Sequence, residues 1–234
     1  MSNFAAVVLS AGVGSRMKSD IPKQYMDLNG KPVIYYSLAA FELAGFSTIV
    51  LVCGKEDVEY CKKEIVEKYG FSHVKAVVPG GKERYHSVYQ GLKAIGSADY
   101  VFIHDGARPM LTQEIITRLQ EVVEKEDTAV AGMPVKDTIK IVDDENYVSE
   151  TPERKYVWQV QTPQCFSFPI IYDAYAGIIE DEEMGLPIPP VTDDAMVLTY
   201  ATDYEVKMVE ADYRNIKITT PEDLLIAELF LKGQ

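Results

Sequence analysis

The residues best suited to chemistry lie near the amino terminus, in the sequence AAVVLSAGVGSRMKSDIPKQY. A run of small apolar and β-branched residues is followed by Gly12 and Gly14, and then by the cations Arg16 and Lys23. Glycine lets a backbone approach a phosphate group closely and point its N–H groups at the oxygens. Because two full positive charges lie in the same stretch, the pattern predicts a binding site for a triphosphate.

This stretch matches neither of two widespread glycine-rich phosphate motifs. A P-loop requires G-x-x-x-x-G-K-[ST], which is absent from the sequence. The dinucleotide fingerprint places a third glycine where Met17 stands, and an acidic residue at a strand end about 20 residues later. Asp27 lies in a loop with no predicted strand before it. A dinucleotide-dependent oxidoreductase, which would bind NAD(P) without dependence on Mg²⁺, is an alternative, and the missing third glycine counts against it.

A second candidate is the sequence HDGARP, in which Asp105 follows a buried strand. One carboxylate in a tight turn can serve as a ligand of Mg²⁺, because that ion keeps several waters and takes other ligands from phosphate oxygens. The alternative is that Asp105 only caps the turn. His104 precedes it, but the other histidines have no ligand spacing with it, so we expect His104 to pack or to form hydrogen bonds.

A third glycine-bearing turn occurs in PGGKERYHSVYQGL. Gly81 precedes a predicted helix that would carry Arg84 and Ser87. Close backbone approach and a small hydroxyl suit the edge of a base and a ribose. An ordinary connection between a strand and a helix is the alternative.

Other polar residues are more ambiguous on sequence grounds. Asp193 and Asp194 are predicted to be a charge pair at a helix N-terminus, and the acidic run 180–183 is predicted to be a solvated face. No Ser/His/Asp or Cys/His arrangement has supporting context. The remaining candidate cations and hydroxyls are Thr138, Lys140, Arg154, Thr162, Thr192 and Lys217.

The elements that must position these residues are strands and helices in alternation. Apolar runs of strand length occur at 5–9, 48–52, 74–78, 100–103 and 129–133, and helical periodicity occurs at 32–44, 56–68, 84–95 and 112–125. This alternation predicts an α/β fold, a Rossmann-like and mostly parallel sheet flanked by helices. Ligands of such sheets bind beyond the carboxyl ends of the strands. We therefore expect the three glycine-bearing loops to form one site.

The pattern changes after residue 133. Two segments with strand-like alternation, TIKIV and YVSET, flank the acidic turn DDEN, which predicts a β-hairpin inserted into the α/β domain. An exposed hairpin is marginally stable alone, so it would be steadied by packing on something, for which a second subunit is one candidate. Helices are expected near 168–180 and 193–200, a strand near 205–209, and a last helix from Pro221, with Thr220 as its N-cap.

Composition excludes several classes of protein. A formal net charge of −13 argues against nucleic-acid binding, which requires a basic surface. Three cysteines without C-x-x-C spacing argue against a disulfide framework or a zinc site and favour a reducing cytoplasm. The sequence has neither a signal-peptide pattern nor an apolar run of membrane-spanning length, so no membrane association is expected.

The motifs together resemble one family. LSAGVGSRM…PKQY, GGKERYHSV, HDGARP, DTIK, QTPQ, TDDA and NIKITTPEDL occur in the order and spacing of the 2-C-methyl-D-erythritol 4-phosphate cytidylyltransferase family of the non-mevalonate isoprenoid pathway. The resemblance covers about residues 4–231. It implies a single nucleotidyltransferase domain over 1–234 that uses Mg²⁺ to convert CTP and methylerythritol phosphate to the CDP-alcohol and pyrophosphate.

The resemblance also implies a role for each matching residue. The nucleotide would be bound by Ala11, Gly12, Gly14, Gly81, Ser87 and Gly106. The catalytic cations would be Arg16, Lys23, Arg154 and Lys217, and Asp105 would bind the metal ion. The acceptor would contact Arg108, Thr138 and Thr162. In this family the arm, here 137–160, crosses a homodimer interface and contributes to the neighbouring site.

Two departures from the family pattern affect these expectations. The family often has alanine where Gly106 stands, which predicts a looser turn after Asp105 with little functional effect. Lys82 stands where the family often has an acidic residue near the base, which bears on nucleotide selectivity.

Two alternatives accompany the resemblance. A ribitol-5-phosphate cytidylyltransferase shares the fold, the glycines, Lys23 and QTPQ, but RYHSVYQGL and HDGARP resemble the isoprenoid enzymes more closely. A catalytically silent nucleotide-binding module would bind CTP without releasing pyrophosphate.

Overall fold

The computed structural model describes residues 2–12, 17 and 21–233. Its strands are β1 (Phe4–Ser10), β2 (Asp27–Leu28), β3 (Lys31–Pro32), β4 (Thr48–Cys53), β5 (Val74–Pro79), β6 (Tyr100–Asp105), β7 (Thr128–Pro134), β8 (Ile141–Val142), β9 (Val148–Glu150), β10 (Trp158–Ser167) and β11 (Met208–Glu210). Its α-helices are α1 (Val33–Leu43), α2 (Val58–Tyr60, continued by a π-helical segment over Cys61–Glu67), α3 (Arg84–Ile95), α4 (Gln113–Glu126), α5 (Phe168–Glu183), α6 (Asp194–Ala201) and α7 (Pro221–Lys232). Within these ranges no helix has the length and apolar character that crossing a membrane requires.

The main sheet has seven strands in the order β11-β7-β10-β6-β1-β4-β5. All neighbouring strands are parallel except β10, which runs antiparallel to both β6 and β7. The predicted α/β class and mostly parallel sheet are therefore confirmed. The sheet places the carboxyl ends of β1, β5 and β6 at one edge, as the strand pattern predicted.

Helices cover both faces of this sheet, which explains why its parallel strands are apolar on both sides. Successive residues of β1 alternate between two buried clusters: Ala6 and Val8 pack with Phe41 and Leu119 on one face, and Val7 packs with Leu92 on the other. The first face is thus covered by α1 and α4, and the second by α3, α5 and α6. Burial on both sides fixes the strand ends that carry the functional loops.

Sequence reasoning missed β10, which is a central strand. Trp158–Ser167 includes three glutamines, and six of its ten residues are buried. We had expected only a hairpin arm before the next helix. The aromatic and β-branched residues of YVWQVQ and QCFSF were the available signal, but the interleaved polar residues hid it.

The hairpin arm is present, although its paired strands are shorter than predicted. β8 and β9 pair antiparallel with each other and with no strand of the main sheet. Every residue from 136 to 160, all within the described part of the chain, is at least partly exposed. Residues 136–157 therefore have no core of their own, whereas residues 158–160 already belong to β10 and pair with β7.

The last helix begins as its sequence predicted. Thr220 and Asp223 form a capping box, in which each side chain accepts a hydrogen bond from the backbone of the other residue. Pro221 occupies the first turn, where its missing N–H costs nothing. This start fixes the end of the segment that carries Lys217.

Candidate active site

A cavity of about 350 Å³ lies at the carboxyl edge of the sheet. The loops after β1, β5 and β6 and the segment before α7 contribute to its walls. Its lining residues include Ser10, Ala11, Gly12, Lys23, Gly81, Lys82, Arg84, Ser87, Asp105 and Lys217. The expectation that the three glycine-bearing loops form one site is therefore confirmed.

The loop after β1 is held by Gln24. This side chain is buried, and its Nε2 donates hydrogen bonds to the carbonyl oxygens of Ser10 at 2.5 Å and Gly12 at 3.2 Å. Gln24 thus satisfies two backbone acceptors of the glycine loop and ties them to the short turn that carries Lys23. Gly14 and Arg16, which were predicted to contact phosphates, lie outside the described residues.

Ser87 shapes the turn between β5 and α3. Its Oγ accepts a hydrogen bond from the Gly81 N–H at 3.0 Å and donates to the Glu83 carbonyl at 3.2 Å. A Cβ on Gly80 would lie 2.6 Å from the Cβ of Ala11 and 2.7 Å from Ser87 Oγ. Since no real Cβ tolerates such contacts, glycine at this position allows the loops after β1 and β5 to meet.

Asp105 ends β6 inside a cluster of three cations. Its carboxylate lies 2.9 Å from Lys217 Nζ, 3.7 Å from Arg108 Nε and 3.8 Å from Arg84 Nε. Burial alone would raise the pKa of this carboxyl, but the positive charges of Arg84, Lys217 and Arg108 hold that pKa well below its usual range. Asp105 is therefore an anion at all physiological pH values.

A chain of hydrogen bonds behind Asp105 fixes its backbone. The Asp105 N–H donates to Thr162 Oγ1 at 3.0 Å, and that hydroxyl contacts His104 Nδ1 at 3.0 Å. His104 Nε2 in turn lies 3.3 Å from the Arg108 carbonyl, to which it donates. Burial lowers the pKa of His104 to about 4, so the ring is neutral. The prediction that His104 serves packing and hydrogen bonding is confirmed.

A second cavity, of about 310 Å³, adjoins the first. Arg84, Asp105 and Lys217 line both cavities, so the cation cluster stands between them. The second cavity is otherwise lined by Arg108, Val160, Gln161, Thr162, Gln164, Thr192 and Asp193. Of the predicted acceptor residues, Arg108 and Thr162 are thus found here.

Asp194 corrects one prediction from sequence. Asp193 caps α6 by accepting from the Met196 N–H, as expected, but Asp194 is fully buried and forms two hydrogen bonds of 2.7 Å with the Arg84 guanidinium. Tyr175 also donates to Asp194. Although burial opposes the charge on Arg84, the Asp194 carboxylate raises the pKa of Arg84 above its ordinary value. Asp194 therefore orients Arg84, a cation of the site to which the sequence analysis assigned no catalytic or binding role.

Gly106 lies between Asp105 and Ala107, which both line the first cavity. Its N–H donates to the Leu9 carbonyl at 2.8 Å, and it does not itself occur among the described lining residues of the two cavities. A Cβ there would overlap Ile34 Cδ1 and lie 3.0 Å from the Leu9 oxygen. The turn after Asp105 is therefore closely packed, and a methyl group at this position would require the Ile34 side chain to move.

Thr138 and Arg154 lie on the arm. Arg154 is exposed, and its Nη1 donates to the Lys136 carbonyl at 3.1 Å. Neither residue appears among the described residues that line the two cavities of this chain. Their roles at the acceptor therefore stay predictions.

The site fits a divalent cation that arrives with a phosphate ligand. Within residues 2–12, 17 and 21–233, no three His, Cys, Asp or Glu side chains cluster closely enough to hold a metal ion alone. Asp105 offers one carboxylate at the wall of both cavities. Mg²⁺ is commonly bound through one or two carboxylates plus substrate phosphates and water, so this donor set suffices only when phosphates supply the rest.

Comparisons with known proteins agree with this geometry. The family model for IspD, 2-C-methyl-D-erythritol 4-phosphate cytidylyltransferase, matches residues 4–233. The protein of that name from Lachnospira eligens is 50% identical over 229 residues, which cover 97% of this chain and 99% of that protein.

Solved structures show the same fold. The 4-diphosphocytidyl-2C-methyl-D-erythritol synthase of Anaerococcus prevotii superposes with a TM-score of 0.83 at 32% identity, covering 99% of both chains. The 2-C-methyl-D-erythritol 4-phosphate cytidylyltransferase of Francisella tularensis superposes with a TM-score of 0.78 at 30% identity, covering 97% of this chain and 99% of the other. By its sequence and its fold, the chain belongs to the 2-C-methyl-D-erythritol 4-phosphate cytidylyltransferase family.

Proposed function

We propose that the chain transfers the cytidylyl group of CTP to 2-C-methyl-D-erythritol 4-phosphate and releases pyrophosphate. One observation carries this proposal beyond family membership. Asp105 and its cations Arg84, Arg108 and Lys217 stand where two adjoining cavities meet. Positive charge at such a junction suits a reaction in which two phosphate anions must approach each other.

The larger cavity is proposed to bind CTP. The backbone at Ala11 and Gly12 would face the phosphates, together with Gly14 and Arg16. Lys23 lines this cavity and would stabilise the charge that develops on the α-phosphate. The turn at Gly81, tied by Ser87, would face cytosine and ribose. Gly106, whose N–H is bonded to the backbone of β1, would lie beside the nucleotide.

The smaller cavity is proposed to bind the acceptor. Lys217 and Arg108 would contact its phosphate, while Thr162 would hold the backbone of Asp105. A phosphate oxygen of the acceptor attacks the α-phosphorus of CTP as the bond to pyrophosphate breaks, and pyrophosphate leaves with the electron pair. No covalent intermediate with the protein is required, so catalysis consists of positioning and charge stabilisation.

A divalent cation such as Mg²⁺ is part of the proposal, with Asp105 as its protein ligand. When bound with CTP, such an ion would neutralise negative charge on the phosphates. The protein's own contribution is to keep Asp105 ionised and fixed at the end of β6.

We further propose that the protein is a homodimer and that residues 1–234 form one nucleotidyltransferase domain. The arm exposes several large apolar side chains: Ile141, Val142, Tyr147, Val148 and Tyr156. Burial of these side chains against a second copy would stabilise the arm and would bring Thr138 and Arg154 to the partner's acceptor cavity. The three cysteines are free thiols, which supports a cytoplasmic location.

Release of pyrophosphate from CTP tests the function. The assay compares methylerythritol phosphate with ribitol 5-phosphate, each with Mg²⁺ and with a chelator. We expect turnover only with methylerythritol phosphate and the metal ion. Preference for ribitol 5-phosphate would transfer the enzyme to another polyol phosphate, and absence of pyrophosphate with either acceptor would contradict the proposal.

A further inference from the structure

The nucleotide-side turn between β5 and α3 rests on His86. A Cβ on Gly81 would lie 2.3 Å from the Cβ of His86, so this imidazole-bearing residue fills the space directly beneath the turn. His86 also takes part in the capping box of α3: its Nδ1 accepts a hydrogen bond from the Glu83 N–H at 3.2 Å. The position of the ring and the shape of the turn therefore depend on each other.

The other nitrogen of the ring reaches a different helix. Because Nδ1 accepts a hydrogen bond, the neutral ring carries its proton on Nε2. That nitrogen lies 2.7 Å from Glu182 Oε2, at the end of α5. The acidic run 180–183 had been predicted to be a solvated face, and Glu182 is the member that departs from this prediction.

Glu182 lies at the end of a helix that is packed into the core. The body of α5 is anchored in the core by Ile171, Tyr175 and Ile178, which are all fully buried. Burial, together with the Glu182 carboxylate, raises the pKa of the neighbouring Tyr85 to about 12. The rings of Tyr85 and His86 are stacked with centroids 4.3 Å apart. The Glu182 carboxylate thus lies against the first turn of α3, where His86 and Tyr85 pack on each other.

We propose that Glu182 and His86 are a positioning pair that holds the nucleotide-binding turn against the larger cavity. This inference rests on the proposed function, because it takes that cavity as the CTP site. Neither side chain is among the described residues that line the cavity, so the pair acts through Gly81 and Glu83. It sets nucleotide affinity and leaves the acceptor side unchanged, since Lys217 and Arg108 are held by other segments. Arg84, which lines both cavities, is held separately by its two hydrogen bonds to Asp194.

The test is the steady-state kinetics of Glu182→Ala, with Glu182→Gln as the conservative variant and Glu183→Ala as the matched control. Glu183 is the next residue of the same helix end and is exposed. We expect Glu182→Ala to raise KM for CTP about three- to tenfold, which corresponds to about 0.7–1.4 kcal/mol and is the net range for loss of one ordinary polar contact. KM for the acceptor and kcat should change by less than about twofold.

Glu182→Gln keeps an oxygen at the position that lies 2.7 Å from His86 Nε2, so its KM for CTP should stay near that of the unmodified protein. If Glu182→Ala and Glu183→Ala have the same KM for CTP, the proposal is wrong. An equal change in both KM values and kcat, which indicates general loosening of the fold, would also overturn it. If the unmodified protein shows no turnover, the proposed function fails instead, and calorimetric titration of CTP against the same variants still decides whether the pair holds the turn.

Discussion

Lys23 lines the larger cavity together with the glycine loop after β1. Its neighbour Gln24 is hydrogen-bonded to that loop, which fixes the backbone at Lys23. A preorganised cation of this kind gains its effect in the transition state rather than in binding. We predict that Lys23→Ala lowers kcat by about 10²–10³-fold, the loss typical of one electrostatic donor. The measurement is pyrophosphate release at saturating substrates.

The control for this prediction is Lys31→Ala, which removes the same charge from β3. Lys31 lies over the ring of Tyr35 and is not one of the described residues that line the cavities. Its kcat should equal that of the unmodified protein. Near-normal turnover of Lys23→Ala would remove Lys23 from the catalytic role.

His104 gives a prediction for stability against pH. Its folded pKa of about 4 lies below the ordinary value of 6.5, so the unfolded chain binds more protons between these two values. The free energy of unfolding should therefore be highest above pH 6.5, as far as His104 contributes to it, and should fall as the pH is lowered towards 4. Between pH 7 and pH 5, the titration of His104 should lower the free energy of unfolding by about 2 kcal/mol.

Urea denaturation at pH 7 and pH 5, for the unmodified protein and for His104→Gln, measures this contribution. The glutamine variant lacks the titrating group but retains a side chain that can donate and accept. Its loss of stability on acidification should be smaller by about the predicted amount, because His73 and His86 remain in both proteins. Equal losses in the two proteins would show that His104 does not titrate in this way.

At the level of the elements, α1 approaches the turn after β6 so closely that a methyl group on Gly106 would displace the Ile34 side chain. We predict that Gly106→Ala destabilises the protein by about 1–3 kcal/mol, the usual cost of overpacking. The nearest atom is Ile34 Cδ1, which Ile34→Val removes. The double variant should therefore be more stable than the sum of the two single effects predicts.

Thermal or urea unfolding of the four proteins completes this double-mutant cycle. Strict additivity would mean that the clash is relieved elsewhere, for example at the Leu9 carbonyl. Ile34→Val alone also provides the reference for a lost methyl group, which costs about 0.5–1.5 kcal/mol in a core.

The same elements show how far the sequence alone leads. The parallel strands were predictable because burial on both faces makes them continuous apolar runs. β10 was not predictable, since Gln161 and Gln164 serve the site and its support rather than the core: Gln164 accepts from the backbone N–H groups of Asp194 and Ala195. The pairing of Asp194 with Arg84 was not predicted because the two residues are 110 positions apart in the sequence. A local sequence pattern does not show contacts at that separation.

At the scale of the whole molecule, the arm is proposed to contribute residues to the active site of a second copy of the chain. Arg154 and Thr138 are not among the described residues that line the two cavities proposed to bind CTP and the acceptor, whereas Lys217 lines both. A two-fold dimer in which arms are exchanged would give each cavity one set of arm residues from its partner. The exposed apolar side chains of the arm are consistent with such an exchange.

Complementation between inactive variants tests this arrangement. Arg154→Ala and Lys217→Ala should each have low activity as homodimers. After they are mixed, unfolded and refolded together, a heterodimer contains one site with both residues intact, because the cavity that retains Lys217 receives Arg154 from the other subunit. With random pairing, about one quarter of the original sites should be restored. If both residues served the same chain's cavity, mixing would restore nothing, and Lys217→Ala refolded alone gives the baseline against which that result is measured.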